Sequence, residues 1–359
     1  MLKDKSASVA VVGAGVAGAS CAQALMRAGQ AVQVFDKARG AGGRLATRRL
    51  EWPLTDGDVG RARLDHGAVG FTARSEAFRT FVSQAQAAGC VAEWTPQLAS
   101  DSLPLEDGAS LFLPTPDMPA WSKHLLAGAG THWSFAVDRL ERDGPTWRLC
   151  AGDVTHPAAF DAVVLAVPAA QAAPLLNRHH EDWARFASLI PMQPCWTLMG
   201  VAHEDAAASS AVRPWALARP ELGPLAWVIR NDRRPGRVAV DGQAHWVAHA
   251  RPGWSRLHLE RDAEWVQQQL STALEAYLGE SVRWAHAVVH RWRYALPPAT
   301  GHGAGPSAQH WWDDRLGLGV CGDLFGSTGV EGAVLSAQSL AKAMSDTAAD
   351  AALRPPQAA

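Results

Sequence analysis

Apolar positions open the chain without interruption. Residues 9–12 carry no polar side chain, the pattern of a strand buried on both faces, and they run into Gly13-Ala14-Gly15-Val16-Ala17-Gly18. Small residues at helical spacing follow, and a second apolar strand, 32–35, ends in Asp36. Residues 161–168 predict another buried strand of the parallel type, closed by Pro168. From about 198 to 292 the pattern alternates, and 227–230, 244–249 and 287–292 predict antiparallel strands with one helix, 262–278, between them. Further helices are expected over 76–88 and over 116–129, where Met118, Trp121 and Leu125 share a face. Residues 136–150 read as a hairpin turning at Asp143-Gly144-Pro145, 301–306 as a loop, and 354–359 as a frayed tail.

Composition narrows the classes. A chain of 359 residues with 48% hydrophobic and 19% charged residues has ample core for two or three domains. A formal net charge of −2 supplies no basic field, so no nucleic-acid partner is expected. The most apolar window, 162–176, contains Pro168, Gln171 and Pro174, and no membrane partner is expected either. The five cysteines show no CxxC spacing and read as reduced, packed thiols; with no apolar core in the first eight residues, they point to a cytoplasmic setting. Nothing in the chain specifies an oligomeric state.

The glycine-rich start carries chemistry. Gly13 permits a tight turn, Gly15 lets backbone approach a pyrophosphate, and Gly18 lets helix and strand pack. The helix N-terminus at Val16 and Ala17 offers unpaired N–H groups and a positive dipole end to phosphates. Asp36, about twenty residues on, is placed for ribose hydroxyls. A bound dinucleotide follows. After Asp36 and Lys37, a second glycine pair precedes arginine in Gly42-Gly43-Arg44-Leu45-Ala46-Thr47, which a plain nicotinamide site does not need.

This extension resembles the GGRxxT element of the amine oxidase superfamily of FAD enzymes. The segment Asp65-His66-Gly67-Ala68 is similar to that superfamily's aspartate-x-glycine-alanine stretch beside the flavin. Near the C-terminus, Cys321-Gly322-Asp323 and Gly329-Val330-Glu331-Gly332-Ala333 fit its last cofactor segment, although alone they also read as a buried strand and a packing helix. The resemblance implies FAD contacts at Gly13, Gly15, Val16, Ala17, Gly18, Asp36, Lys37, Gly43, Arg44, Asp65, Gly67, Ala68, Val137, Gly322, Asp323, Gly329, Val330 and Glu331. Arg44 alone also reads as a surface ion pair. Cys321 lies near the expected cofactor, but a packed thiol is the simpler reading, so the FAD is expected to be non-covalent.

Further segments resemble the renalase-like flavoproteins: residues 227–237, 246–260 and 291–295, in order along nearly the whole chain. The implied fold is α/β, a Rossmann-type FAD-binding domain built from discontinuous segments plus a mainly antiparallel-sheet substrate domain, as in para-hydroxybenzoate hydroxylase. The segmentation expected is 1–75, 115–175 and 305–347 for FAD, 76–114 and 176–304 for substrate, and 348–359 as a tail. The implied activity is oxidation of 2- or 6-dihydro isomers of NAD(P)H, a small-molecule substrate, with dioxygen as acceptor and hydrogen peroxide as product. Asn231, His249 and Trp292 match pocket positions of that family. By themselves they read as a turn residue, a core histidine and a packing tryptophan. The pairs His245/His249 and His286/His290 could each offer two ligands to a metal, but no Cys or carboxylate pattern completes a site, so no metal is expected. An amine oxidase of the same superfamily is the alternative enzyme. It is disfavoured because no lysine lies between Lys123 and Lys342. A flavin-binding sensor without turnover is the alternative outside catalysis.

Overall fold

A computed structural model describes residues 7–54, 57–105, 110–204, 214–297, 308–325 and 329–353. The loop expected at 301–306 and the tail at 354–359 lie outside them. Along the chain the elements are β1 (Ser8–Val12), α1 (Val16–Arg27), β2 (Ala31–Asp36), β3 (Thr47–Pro53), β4 (Val59–Asp65), α2 (Glu76–Ala87), β5 (Val91–Trp94), β6 (Leu111–Pro114) and α3 (Ala120–Leu125). Then come β7 (Gly130–Trp133), β8 (Arg139–Asp143), β9 (Thr146–Ala151), β10 (Val154–Thr155), β11 (Ala162–Leu165), α4 (Ala169–Leu176), α5 (Glu181–Ser188) and β12 (Gln193–His203). The chain continues through β13 (Leu217–Ala218), β14 (Leu225–Arg230), β15 (Gln243–Ala250), α6 (Pro252–Leu257), α7 (Ala263–Leu278), β16 (Trp284–Leu296), β17 (Trp311–Asp313), β18 (Leu318–Val320) and α8 (Gly329–Leu353).

Two compact units form. The first is Met1–Gly43, Trp121–Pro191 and Pro297–Ala359; the second is Arg44–Ala120 and Met192–Leu296. The first boundary falls at Gly43 instead of residue 75, because β4 of the β3–β4 hairpin packs against β12 and β15 of the second unit. The next falls at Pro191 instead of residue 175, because α5 packs on α4 and α4 on β8.

In the first unit a six-stranded sheet runs β17-β18-β11-β1-β2-β7. All its pairings are parallel except that of the edge strand β17. The order reverses at β1, whose neighbours are β2 on one side and β11 on the other. A crevice at the carboxyl ends of the strands is the usual ligand position in such a sheet. The hairpin expected over 136–150 is β8–β9, with Gly144 at φ 60°. The helix expected over 116–129 is shorter, Ala120–Leu125. Pro116 and Pro119 offer no N–H, and the Met118 amide donates to Thr47 Oγ1 at 2.9 Å.

The second unit is built on an antiparallel sheet, β13-β14-β15-β12-β16. Helix α7 starts at Asp262, whose carboxylate accepts the Trp265 N–H at 2.8 Å, and stops at Gly279 with φ 70°. Its stripe Val266, Leu270, Leu274 and Leu278 packs on Trp196, Leu198, Val228, Trp246 and Ala248, one face of the sheet. The other face carries Thr197, His249, His290 and Trp292. The alternation of the sequence therefore separates two faces, a buried apolar one and one bearing histidine.

Candidate functional site

The glycines at the end of β1 are each required for a different reason. Gly13 has φ 107°, and a Cβ there would lie 2.5 Å from the Ala166 carbonyl oxygen. At Gly18 a Cβ would lie 1.8 Å from the Gly13 carbonyl oxygen, so glycine lets α1 close on its strand. Gly15 differs. A Cβ there meets nothing nearer than the Gly43 Cα at 3.9 Å, which leaves the space before the helix open. No acidic side chain sits in the first turn of α1 and no side chain caps it, so Val16 and Ala17 begin a helix whose N–H groups face that space unclaimed by side chains.

Asp36 closes one side of this cradle. Its two carboxylate oxygens accept the Ala14 and Ala38 N–H groups, each at 2.7 Å, and keep lone pairs for a ribose. The second glycine pair folds back on the first: Gly42 N–H donates to the Ala14 carbonyl at 2.9 Å, and Gly43 has φ 57°. Phe135 N–H donates to the Asp36 carbonyl at 3.0 Å, in the turn that also holds Val137, and Lys37 is exposed beside it. From the far end of the chain, Cys321 N–H donates to the Leu165 carbonyl at 3.1 Å, which carries Gly322 and Asp323 to the same end of the sheet. A Cβ on Gly322 (φ 140°) or Gly329 (φ 78°) would meet nothing within 4 Å. Gly329 starts α8, with Val330 and Glu331 half-buried in its first turn. Open glycines, an uncapped helix start and an anchored carboxylate fit a dinucleotide such as FAD.

The Cys321 thiol is buried and held well above its ordinary pKa, first by a hydrogen bond with Cys21 and then by burial.

In the second unit, four rings gather on the sheet face opposite α7. Thr197 of β12 pairs with His249 on one side and His290 on the other, so all three side chains share that face. Trp292, two residues beyond His290, donates its indole N–H to the His66 carbonyl at 2.9 Å and stacks on the His66 ring at 5.1 Å. His290 stands edge-on to both rings, at 4.8 Å from His66 and 4.5 Å from Trp292. Burial drives these imidazoles to their neutral forms. His66 falls to about 3, with His290, Arg48 and His249 adding to the burial. His249 falls to about 4, through burial and then Arg234, and His290 to about 4, through burial and then Arg48. His66 Nδ1 and His249 Nε2 are buried without a hydrogen-bond partner among the described residues.

Asn231 lies elsewhere in this arrangement. Its side-chain oxygen accepts the Asp65 N–H and its amide donates to the Arg63 carbonyl, both at 3.1 Å, so it clips the end of β4. Asp65 is engaged by protein groups as well. Its buried carboxylate accepts Thr47 Oγ1 at 2.5 Å and Arg237 Nε at 2.7 Å, and Arg234 Nη1 stands 3.1 Å away. Burial lowers Arg234 to about 10. This cluster fixes the turn in which Ala68 N–H donates to the Arg44 carbonyl at 2.9 Å, and in which a Cβ on Gly67 would lie 2.0 Å from the same oxygen. The Arg44 side chain reaches the Ala295 carbonyl at 3.4 Å. In the sequence His290 reads only as a possible metal partner of His286, and His66, Arg234 and Arg237 carry no individual role. His66 was legible as the variable position of the Asp65–Ala68 stretch, and the arginines as part of the 231–237 run. No group of three His, Cys, Asp or Glu residues among those described is arranged to hold a metal.

Residues 11–85 match the family model for an NAD(P)-binding Rossmann-like domain. Solved structures share the fold over almost the whole chain. A protein assigned as a protoporphyrinogen oxidase, from Exiguobacterium sp. 255-15, matches with a TM-score of 0.69 at 13% identity, over 95% of this chain and 99% of its own. Cyclohexylamine oxidase from Brevibacterium oxydans IH-35A matches with a TM-score of 0.62 at 12% identity, over 96% and 100%. Putrescine oxidase bound to putrescine gives 0.62 at 13%, over 97% and 99%. The fold is therefore the mixed α/β, two-domain architecture of these oxidases, with its Rossmann-like half assembled from separated segments.

Proposed function

We propose that this protein is a renalase-like, FAD-dependent oxidase that takes a hydride from a 2- or 6-dihydro isomer of NAD(P)H and passes the electrons to dioxygen. Non-covalent FAD would supply the hydride acceptor and the route by which dioxygen leaves as hydrogen peroxide. The carrying observation is the face of His66, His249, His290 and Trp292, on which burial holds the three imidazoles neutral. A dihydropyridine becomes aromatic by losing hydride alone, so its oxidation needs a planar slot and orientation but no base. Imidazoles held at about 3 to 4 are poor bases at neutral pH and suit that reaction. Trp292 offers an aromatic wall, and the unpartnered His249 Nε2 can accept or donate one orienting hydrogen bond. Asn231 acts by holding β4, not by gripping the donor.

The Cys321 thiol, buried against Cys21, supports a dissociable cofactor. Five free cysteines support a cytoplasmic location. Among the described residues, no helix is long and apolar enough to cross a membrane.

The structural likeness to amine oxidases makes primary amines the competing donors. Anaerobic stopped-flow mixing decides. Borohydride-generated NADH isomers are expected to bleach the flavin far faster than 4-dihydro NADH or any primary amine. Bleaching by amines alone would make this an amine oxidase. Bleaching by no donor, with very slow reoxidation by dioxygen after chemical reduction, would make it a sensor.

A further inference from the structure

We infer that Arg48 forms an anion-binding subsite at the edge of the histidine–tryptophan face and recognises the phosphate-bearing part of the donor. This rests on the dihydronicotinamide reading above and gives it a specificity determinant. Strand β3 alternates. Leu50 and Trp52 are 4% and 5% exposed, whereas Arg49 and Glu51 face outward, so Arg48 shares the inward side with Leu50 and Trp52. The Trp52 ring lies flat on His286 of β16, with centroids 5.4 Å apart and an interplanar angle of 3°. Four residues back along β3 lead to Arg48, and four residues on along β16 lead to His290. Each path covers about 13 Å of strand.

The register partner of Arg48 on β4 is Leu64, two residues before His66, whose ring stacks on Trp292, and the Arg48 charge helps to lower the pKa of His66, His286 and His290. Arg48 is nonetheless exposed, unlike Leu50 and Trp52. Two other arginines of the hairpin have acidic partners: Arg61 meets Glu51 at 3.4 Å, and Arg63 meets Asp117 at 4.0 Å. No carboxylate pairs with Arg48 among the described residues. The Asp65 carboxylate is already claimed by Arg234 and Arg237. An unmatched guanidinium fork beside neutral imidazoles complements a planar or tetrahedral oxyanion, and a dinucleotide donor carries such a group in its pyrophosphate.

The test uses FAD-saturated protein and two donors. One is the set of dihydro isomers of NADH; the other is the same isomers of nicotinamide riboside, which carries no phosphate. For Arg48→Met, the dissociation constant of the NADH isomers is expected to rise about tenfold, with the limiting rate of flavin bleaching retained. That of the riboside should change less than about twofold. Arg48→Lys should recover part of the dinucleotide binding. Equal changes for both donors, or none for either, would overturn the subsite. Calorimetric titration with ADP-ribose and with inorganic pyrophosphate decides it independently of turnover. Binding to the parent protein that weakens in Arg48→Met supports the subsite. Binding that is absent, or equal in both, overturns it. If ADP-ribose binds through Arg48 but no dihydronicotinamide bleaches the flavin, the donor assignment fails and the subsite stands.

Discussion

Trp292 and His66 hold each other twice. The indole N–H donates to the His66 carbonyl at 2.9 Å, and the two rings stack at 5.1 Å with an interplanar angle of 26°. A strand in the last third of the chain thereby fixes a turn from its first quarter. Trp292→Phe should keep the stacking and lose the hydrogen bond; Trp292→Ala should lose both. Both proteins are expected to retain FAD, with the rate of bleaching by donor falling from wild type to Phe to Ala. Flavin content and stopped-flow absorbance check this, and loss of FAD from Trp292→Ala would assign the ring to the cofactor scaffold.

Asn231 and Asp65 form the second device. Removing the Asn231 amide leaves the buried Asp65 N–H and Arg63 carbonyl unsatisfied, so Asn231→Ala should destabilise the fold by about 1–3 kcal/mol per lost partner. Asp65→Asn leaves Arg234 and Arg237 buried without their counter-charge and should cost about 3–5 kcal/mol. Urea unfolding monitored by tryptophan fluorescence measures both. An Asn231→Ala protein of unchanged stability but weaker donor binding would return this residue to the ligand.

Acid should loosen the second unit. His66 and His249 have folded pKa values of about 3 and about 4, below the unfolded value of 6.5. In the unfolded chain they take up protons first, so their contribution is complete above about pH 6.5 and is lost as pH falls toward 4. When its own range is fully crossed, His66 would forfeit about 5 kcal/mol and His249 about 3 kcal/mol. Unfolding free energies at pH 7.5, 6 and 5 should therefore decline. The decline should be shallower in His249→Gln. Parallel curves for the two proteins would show that His249 titrates normally in the folded state.

Two glycines three residues apart should respond oppositely. Gly15→Ala places a methyl group in open space, so the apoprotein should unfold at nearly its usual temperature while FAD binding falls at least tenfold. Gly18→Ala drives a Cβ to 1.8 Å from the Gly13 carbonyl oxygen and should prevent normal folding. Thermal unfolding without cofactor, followed by FAD titration, separates them.

The sequence by itself determined what depends on near neighbours. The turn Gly13–Gly18, Asp36 at the end of β2, the α7 stripe with its Asp262 cap and the hairpin at Gly144 all follow from local sterics, capping and periodicity. The same pattern marked β11 and β18 as buried strands, and the structure sets them beside β1 in one sheet. Tertiary structure decided the rest. The alternation of β12, β15 and β16 shows two faces but not which one α7 covers, and so not that His249, Thr197 and His290 share the other. Nor does spacing reveal that Asn231 is spent on the backbone of β4, or that the Arg48 charge acts on rings more than two hundred residues away. Those relationships depend on strand pairing and burial across long stretches of chain, which no local pattern encodes.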